Sequence, residues 1–208
     1  MIYLDNSATT RTLDIAADTA AQYMKADFFN PAAAYSAAVE VERNINSARA
    51  RLANAIHAQS DEIIYTSGGT ESNNTAIFGA LRARRGGGRI IVGATEHPSV
   101  YEAAMSMKGQ YAINEARVDK TGAYDVNMLA QSIANDVAFV SVMQVNNETG
   151  AINDIPAIYK AVKQRAPMAI MHVDGVQGFL KVPFDARYCD MYSISGHKFH
   201  APKGVGAL

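Results

Sequence analysis

Cysteine occurs once in the 208 residues, at Cys189, and tryptophan not at all. A single thiol excludes an internal disulfide and a cysteine-rich zinc site, and it suits a reducing compartment. An excess of charge is also lacking: 19 Lys plus Arg stand against 20 Asp plus Glu, a formal net charge of −1. With no basic run, neither nucleic acid nor an anionic membrane surface is expected as a main partner. No apolar run approaches the ~20 residues of a membrane span. The opening Met1-Ile2-Tyr3-Leu4-Asp5 lacks the charged region and apolar core of a secretory signal. Internal repeats and low-complexity segments are absent, and no Gly-Lys-[Ser/Thr] marks a nucleoside triphosphate loop. His97, His172, His197 and His200 are scattered, without the paired spacing of a zinc helix, so no metal is expected. What remains is a soluble, cytoplasmic globular chain of 22.3 kDa, 49% hydrophobic, large enough to bury a core unaided.

Two periodicities alternate from about residue 36 onward. Helical spacing joins Val41, Ile45, Ala48, Leu52 and Ile56, then Ile77 and Leu81, then Ile155, Ile158 and Val162. Between them lie short apolar runs: Ile63-Ile64-Tyr65, Ile90-Ile91-Val92, Ala138 to Met143, Ala169 to Val173, and Met191 to Ile194. Runs apolar on both faces read as strands of a sheet buried on both sides. Alternation with helices predicts an α/β fold, a mainly parallel sheet sandwiched by helices. Gly86-Gly87-Gly88, behind Arg82, Arg84 and Arg85, reads as a helix C-terminus followed by a turn, with an interdomain linker as the alternative.

In such sheets chemistry gathers where strands end at their carboxyl edge, and five strand ends here carry polar residues. Ser67-Gly68-Gly69-Thr70 precedes a helix, a combination that binds phosphate through free N–H groups; an ordinary turn capped by Thr70 is the structural alternative. His97, before Pro98, can stack on a planar cofactor or move protons, or it is simply a hydrogen-bonded histidine. Asp174 can pair with a cationic ring nitrogen, or cap a turn. Lys198, in Ser195-Gly196-His197-Lys198, can form a Schiff base if burial or cationic neighbours lower its pKa, or it is a solvated lysine on a fixed loop. Cys189 enters a strand with no cation or helix start to activate it, and reads as a small buried apolar residue.

In chain order these segments resemble one family, the pyridoxal-phosphate-dependent cysteine desulfurases within the class V aminotransferases. The matching stretches are Tyr3 to Thr10, Asn30-Pro31, Thr66 to Asn74, Glu96-His97, Val145-Asn146-Asn147-Glu148-Thr149-Gly150, His172-Val173-Asp174 with Gln177, and Ser195 to Lys198 through Pro202 to Leu208. Together they cover essentially the whole chain. The resemblance implies the large domain of fold-type I enzymes over residues 1–208, with pyridoxal 5'-phosphate as cofactor. Carried over by position, Lys198 resembles the Schiff-base lysine and α-proton shuttle, and Asp174 the partner of the pyridine nitrogen. His97 would stack on the ring and assist proton transfer. Gln177 and Asn147 would contact the ring hydroxyl side, and Gly69, Thr70, Ser195 and His197 would hold the phosphate.

The implied activity is removal of sulfur from L-cysteine, giving L-alanine and an enzyme persulfide for iron–sulfur cluster or thiocofactor assembly. A homodimer and a sulfur-acceptor or scaffold protein are the partners the family implies. Other class V chemistry (aminotransferase or selenocysteine lyase) and a non-catalytic cofactor-binding or dimerisation module are the alternatives. Two departures stand out. Ala32-Ala33-Ala34-Tyr35-Ser36 replaces the serines and histidine that relatives carry near the site entrance. The family also continues past the point matching Leu208 into a small domain with a carboxylate-binding arginine and a loop cysteine. The expectation is therefore an N-terminal portion, inactive as a desulfurase by itself.

Overall fold

Most of the apolar runs become strands of one seven-stranded sheet, in the spatial order β1-β7-β6-β5-β4-β2-β3. The strands are β1 (Tyr65–Thr66), β2 (Arg89–Gly93), β3 (Ala112–Ala116), β4 (Val137–Met143), β5 (Ile170–Asp174), β6 (Met191–Ser195) and β7 (Gly206–Ala207). β2 to β6 are mutually parallel, whereas β7 runs antiparallel between β6 and β1. The helices are α1 (Asp14–Lys25), α2 (Ser36–Ala55), α3 (Gly69–Ala83), α4 (Pro98–Met105), α5 (Val126–Ser132) and α6 (Ile155–Arg165). The structure, a computed structural model, describes residues 2–84 and 86–208. Met1 of the opening segment and Arg85 of the basic run therefore lie outside the described residues.

The pleat divides the core in two. Ile90, Val92 and Phe139 pack with Ile77, Leu81, Val100 and Ala104 of α3 and α4 on one face. Ile91, Val140, Val142, Met171 and Val173 pack with Leu129, Ile155, Ile158 and Val162 of α5 and α6 on the other. Alternate residues of one strand thus serve opposite layers, as the two-residue repeat requires. The same alternation turns Ser141, His172, Asp174 and Ser193 toward the α3 face. There His172 Nδ1 meets Ser141 Oγ and its Nε2 meets Ser193 Oγ, each at 2.8 Å, one imidazole joining three strands. Burial lowers its pKa to about 3, so it is a neutral crosslink.

Several local expectations need correction. Ile63-Ile64-Tyr65 is strand only from Tyr65, because the segment lies at the antiparallel edge, with Ile64 exposed and bonded to Leu208 at 2.8 and 2.9 Å. The N-cap of α3 is Gly68, not Thr70: its φ of +152° suits only glycine, and Thr70 lies one residue inside the helix. α3 ends at Arg84 in extended conformation, and the left-handed glycine follows two residues later at Gly86. Within the expected fixed loop, Lys198 ends a single 3-10 turn, Gly196–Lys198. β3, β7, α1, α4 and α5 had no periodic signal strong enough to announce them.

Candidate active site

A cleft of 870 Å³ lies at the carboxyl edge of the parallel strands, and all five polar strand ends reach it. Gly69, Thr70, His97, Asn147, Asp174, Gln177, Ser195, His197 and Lys198 all line it. Residues as distant in sequence as Gly69 and Lys198 meet because consecutive parallel strands deliver their C-termini to one edge.

At the floor, Asp174 ends β5 with 1% of its surface exposed. Its Oδ1 accepts the Val176 N–H at 3.0 Å and its Oδ2 accepts Asn73 Nδ2 at 2.9 Å. No salt bridge to Asp174 occurs among the described residues. Burial drives its carboxyl above the usual range, against the pull of the Val176 and Asn73 donors and the Lys198 charge. Such a carboxylate is suited to a cationic partner within the cleft.

His97 caps α4, with Pro98 fixing the first helical residue. Its Nδ1 accepts the Ser99 N–H at 3.1 Å and lies 2.8 Å from Ser99 Oγ. The half-buried Lys198 donates from Nζ to the carbonyls of Ser7 at 2.6 Å and Ala8 at 3.0 Å. Burial, then the nearby Lys181 charge, lower its pKa, which favours a nucleophilic free amine. Gln177 donates to the same Ser7 carbonyl at 2.8 Å and accepts from Lys181 Nζ at 3.3 Å.

The opposite end of the cleft is a helix start. The first N–H groups of α3 have no intrahelical acceptor, and the Thr70 and Ser195 hydroxyls and His197 stand in the same lining. A Cβ at Gly69 would come within 2.7 Å of Val176 Cγ2, so glycine lets the helix start sit hard against the strand-end loops. His197 is turned toward Thr9 Oγ1, 3.0 Å from its Nδ1, and burial followed by the Lys198 charge lowers its pKa.

Sequence reasoning passed over four contributors. Asn73 is a buried polar residue on the stripe that includes Ile77 and Ala80; an asparagine at a core position was the available signal. Ser99, two residues past His97, had none. Thr10 anchors the N-terminal segment by donating to the His197 carbonyl and accepting the His200 N–H, at 2.9 and 2.7 Å. Glu96, beside His97, is buried against Tyr124, whose hydroxyl donates to Oε1 at 2.8 Å; burial and the Asp174 charge push its pKa up to about 8.

Cys189 lies outside this cleft. Burial, reinforced by Asp190, pushes its thiol up to about 12, and it donates to Ala186 O at 3.6 Å. Among the described residues no three His, Cys, Asp or Glu side chains gather as a metal site, and no helix is long and apolar enough to cross a membrane.

The chain is similar to the cysteine desulfurase of Nostoc sp., 37% identical over 211 residues, covering 100% of this chain and 52% of the relative. The same identity and coverage hold for the cysteine desulfurase NifS of Azotobacter vinelandii. Among solved structures, a NifS-like protein superposes with a TM-score of 0.89 at 32% identity, over 99% of this chain and 57% of that one. SspA, solved in complex with cysteine, superposes with a TM-score of 0.92 at 28% identity, over 100% of this chain and 60% of that one. The chain thus spans about half the length of the curated relatives it matches. The family pattern described as aminotransferase class-V matches residues 2–208, and the chain belongs to that family.

Proposed function

We propose that residues 1–208 form the pyridoxal-phosphate-binding domain of a cysteine desulfurase. The observation that carries this reading is the meeting, in one cleft, of a lysine amine, a buried carboxylate without a salt-bridge partner among the described residues, and a helix N-terminus flanked by hydroxyls. Those three features fit the aldehyde, ring nitrogen and phosphate of the cofactor. The close approach at Gly69 and the depressed Lys198 pKa fit it as well.

Each residue then has a task. Lys198 would anchor the aldehyde carbon covalently and afterwards carry a proton. Asp174 would pair with the ring nitrogen and favour its protonated form. The N–H groups at Gly69 and Thr70, with Thr70 Oγ1, Ser195 Oγ and His197, would hold the phosphate. His97 would pack against the ring, and Gln177 and Asn147 would contact the ring hydroxyl side. Bound cofactor supplies an electron sink for a carbanion at the substrate α-carbon.

L-cysteine as substrate, a homodimer, and delivery of sulfur to an acceptor or scaffold for iron–sulfur or thiocofactor assembly complete the reading. Sulfur transfer further needs a thiolate within reach of the substrate. Cys189, buried with its pKa near 12, does not provide one. The 208 residues alone are therefore expected to bind cofactor without releasing sulfide from L-cysteine.

The test has two arms. Incubation with pyridoxal phosphate, borohydride reduction and peptide mapping should leave the adduct on Lys198; an adduct spread over surface lysines refutes the site. Sulfide release with excess reductant should occur only in a chain extended to the relatives' length. Comparable turnover by the 208 residues, abolished in Cys189→Ser, refutes the role assigned to Cys189.

A further inference from the structure

A chain of hydrogen bonds runs through the lining of the cleft from Asp174 to His97, and the chemistry of its members fixes its direction. Asp174 Oδ1 is occupied by the Val176 N–H at 3.0 Å. Asn73 Nδ2 donates to Oδ2 at 2.9 Å, so the Asn73 amide nitrogen lies on that side. The same nitrogen has a second hydrogen, directed at Ser99 Oγ at 2.9 Å. Having accepted there, the Ser99 hydroxyl has its own hydrogen free for His97 Nδ1, 2.8 Å away. The Ser99 backbone N–H reaches the same Nδ1 at 3.1 Å. Two donors converge on one ring nitrogen, so the proton of the neutral imidazole belongs on the other.

The geometry points to Asn73 and Ser99 as positioning residues that lock His97 in the tautomer protonated at Nε2, with Asp174 setting the polarity of the chain. The ring then offers the cleft an N–H donor and not a lone pair. His97 enters as a hydrogen-bond donor from Nε2 to whatever acceptor a substrate presents. The group at the cleft floor and the group at its wall become one unit: a change at Asp174 is felt at His97 without contact between them. Asn73, 1% exposed, is held on the inner stripe of α3, which fixes the amide over both partners. Its Oδ1 is buried without a partner, a cost consistent with the amide orientation being dictated by Asp174.

The use of this donor rests on the cleft being the active site, but its test needs no cofactor. Failure of cofactor binding and failure of the tautomer are therefore separate results. Long-range proton–nitrogen correlation spectra of the chain with labelled histidines report the tautomer of each ring directly, at a pH where imidazole is neutral. His97 is expected as a bare Nδ1 and a protonated Nε2.

In Asp174→Asn the new side chain keeps its oxygen on the Val176 N–H and turns its amide nitrogen toward Asn73. Asn73 then flips to accept, the Ser99 hydroxyl turns to Asn73, and Ser99 Oγ becomes an acceptor for a proton on Nδ1. The ratio of tautomers should move toward Nδ1–H by about tenfold, the worth of one net hydrogen bond. Ser99→Ala should weaken the preference by a similar factor, leaving only the backbone donor, and Ser99→Thr should restore it. A wild-type ring protonated at Nδ1 overturns the inference, as does an unchanged ratio in folded Asp174→Asn. Should that variant not fold, an unchanged ratio in Ser99→Ala, or no rescue by threonine, overturns it equally.

Discussion

Between Ile2 and Tyr35 the single buried residue is Thr10, whereas all seven residues of β4 are buried. Both regions build the same cleft by different physics. The strand ends are placed by apolar packing on two faces. The N-terminal segment is placed by hydrogen bonds: Thr10 N–H to His197 O at 2.8 Å and Leu13 N–H to His200 O at 3.0 Å, with the Thr10 hydroxyl between them. α1 has no buried residue, and Ile15 and Met24 are exposed. The total accessible surface of 11534 Å² exceeds the roughly 9,400 Å² expected of a folded chain of this mass, in keeping with a segment laid along the surface. A rigid sheet edge thus offers the reactive groups, and a strap of low local stability holds the lysine from above.

The largest expected effect falls where the two regions meet. Lys198 rises from the sheet edge and donates to two strap carbonyls. Lys198→Ala should remove the borohydride-fixed cofactor adduct completely. An adduct persisting at full yield on other lysines would detach the cleft from the chemistry assigned to it.

The contrast in packing is sharpened by a pair of truncations. Phe139→Ala, at a fully buried side chain of β4, should cost about 3–5 kcal/mol in urea unfolding. Ile15→Ala on α1, with Ile15 at 75% exposure, should stay within about 0.5 kcal/mol. Similar losses at both would mean that α1 belongs to the cooperative core after all.

At the cleft floor, Asp174→Ala should alter the visible spectrum of bound cofactor while part of it stays bound, because the groups proposed to hold the phosphate, on Thr70, Ser195 and His197, are untouched. An unchanged spectrum would separate Asp174 from the ring.

Glu96 gives a pH signature of the buried region. Its pKa is raised from 4.5 to about 8, so the folded state holds a proton that the unfolded chain releases. Stability should therefore fall as pH rises through that window, the slope being set by the extra proton bound in the folded state. Glu96→Gln should flatten that slope in unfolding measured across the window. A slope unchanged in the variant would assign the loss to other groups, with Asp174, raised in the same sense, the first to examine.

What was legible in the sequence follows the same division. β2, β4, β5 and β6 declared themselves because strands buried on both faces need unbroken apolar runs, and α2, α3 and α6 because a one-sided helix needs a stripe. The nine residues later found along one cleft each lie at a strand end or in the segment that follows one, and parallel topology brings those segments together. α1 was silent, since a helix that buries nothing need not pattern itself. β3, with the burial-poor sequence Ala112–Ala116 at the sheet edge, was silent for a related reason. Asn73, Ser99 and Thr10 act through hydrogen bonds spanning 101, 26 and 187 residues of sequence, and no local pattern records such pairings.

The most local effect tests the strap itself. Thr10→Val keeps shape and volume but removes the hydroxyl that donates to His197 O and accepts the His200 N–H. The loss should be about 1–2 kcal/mol, mostly the cost of leaving the His200 N–H unpaired. Because the strap contributes almost nothing to the core, that loss should open residues 5–13 locally and leave the sheet closed. Hydrogen exchange is then expected to quicken at the amides of Thr10 and Leu13, with the amides of β4 and β5 unchanged. Equal acceleration in strap and sheet would show one cooperative unit, and no acceleration would show that the backbone bonds alone hold the segment. Loosening the strap also releases the Ser7 and Ala8 carbonyls from Lys198. The freed amine should capture pyridoxal phosphate faster than in the wild type, by a factor that measures how firmly the segment grips it.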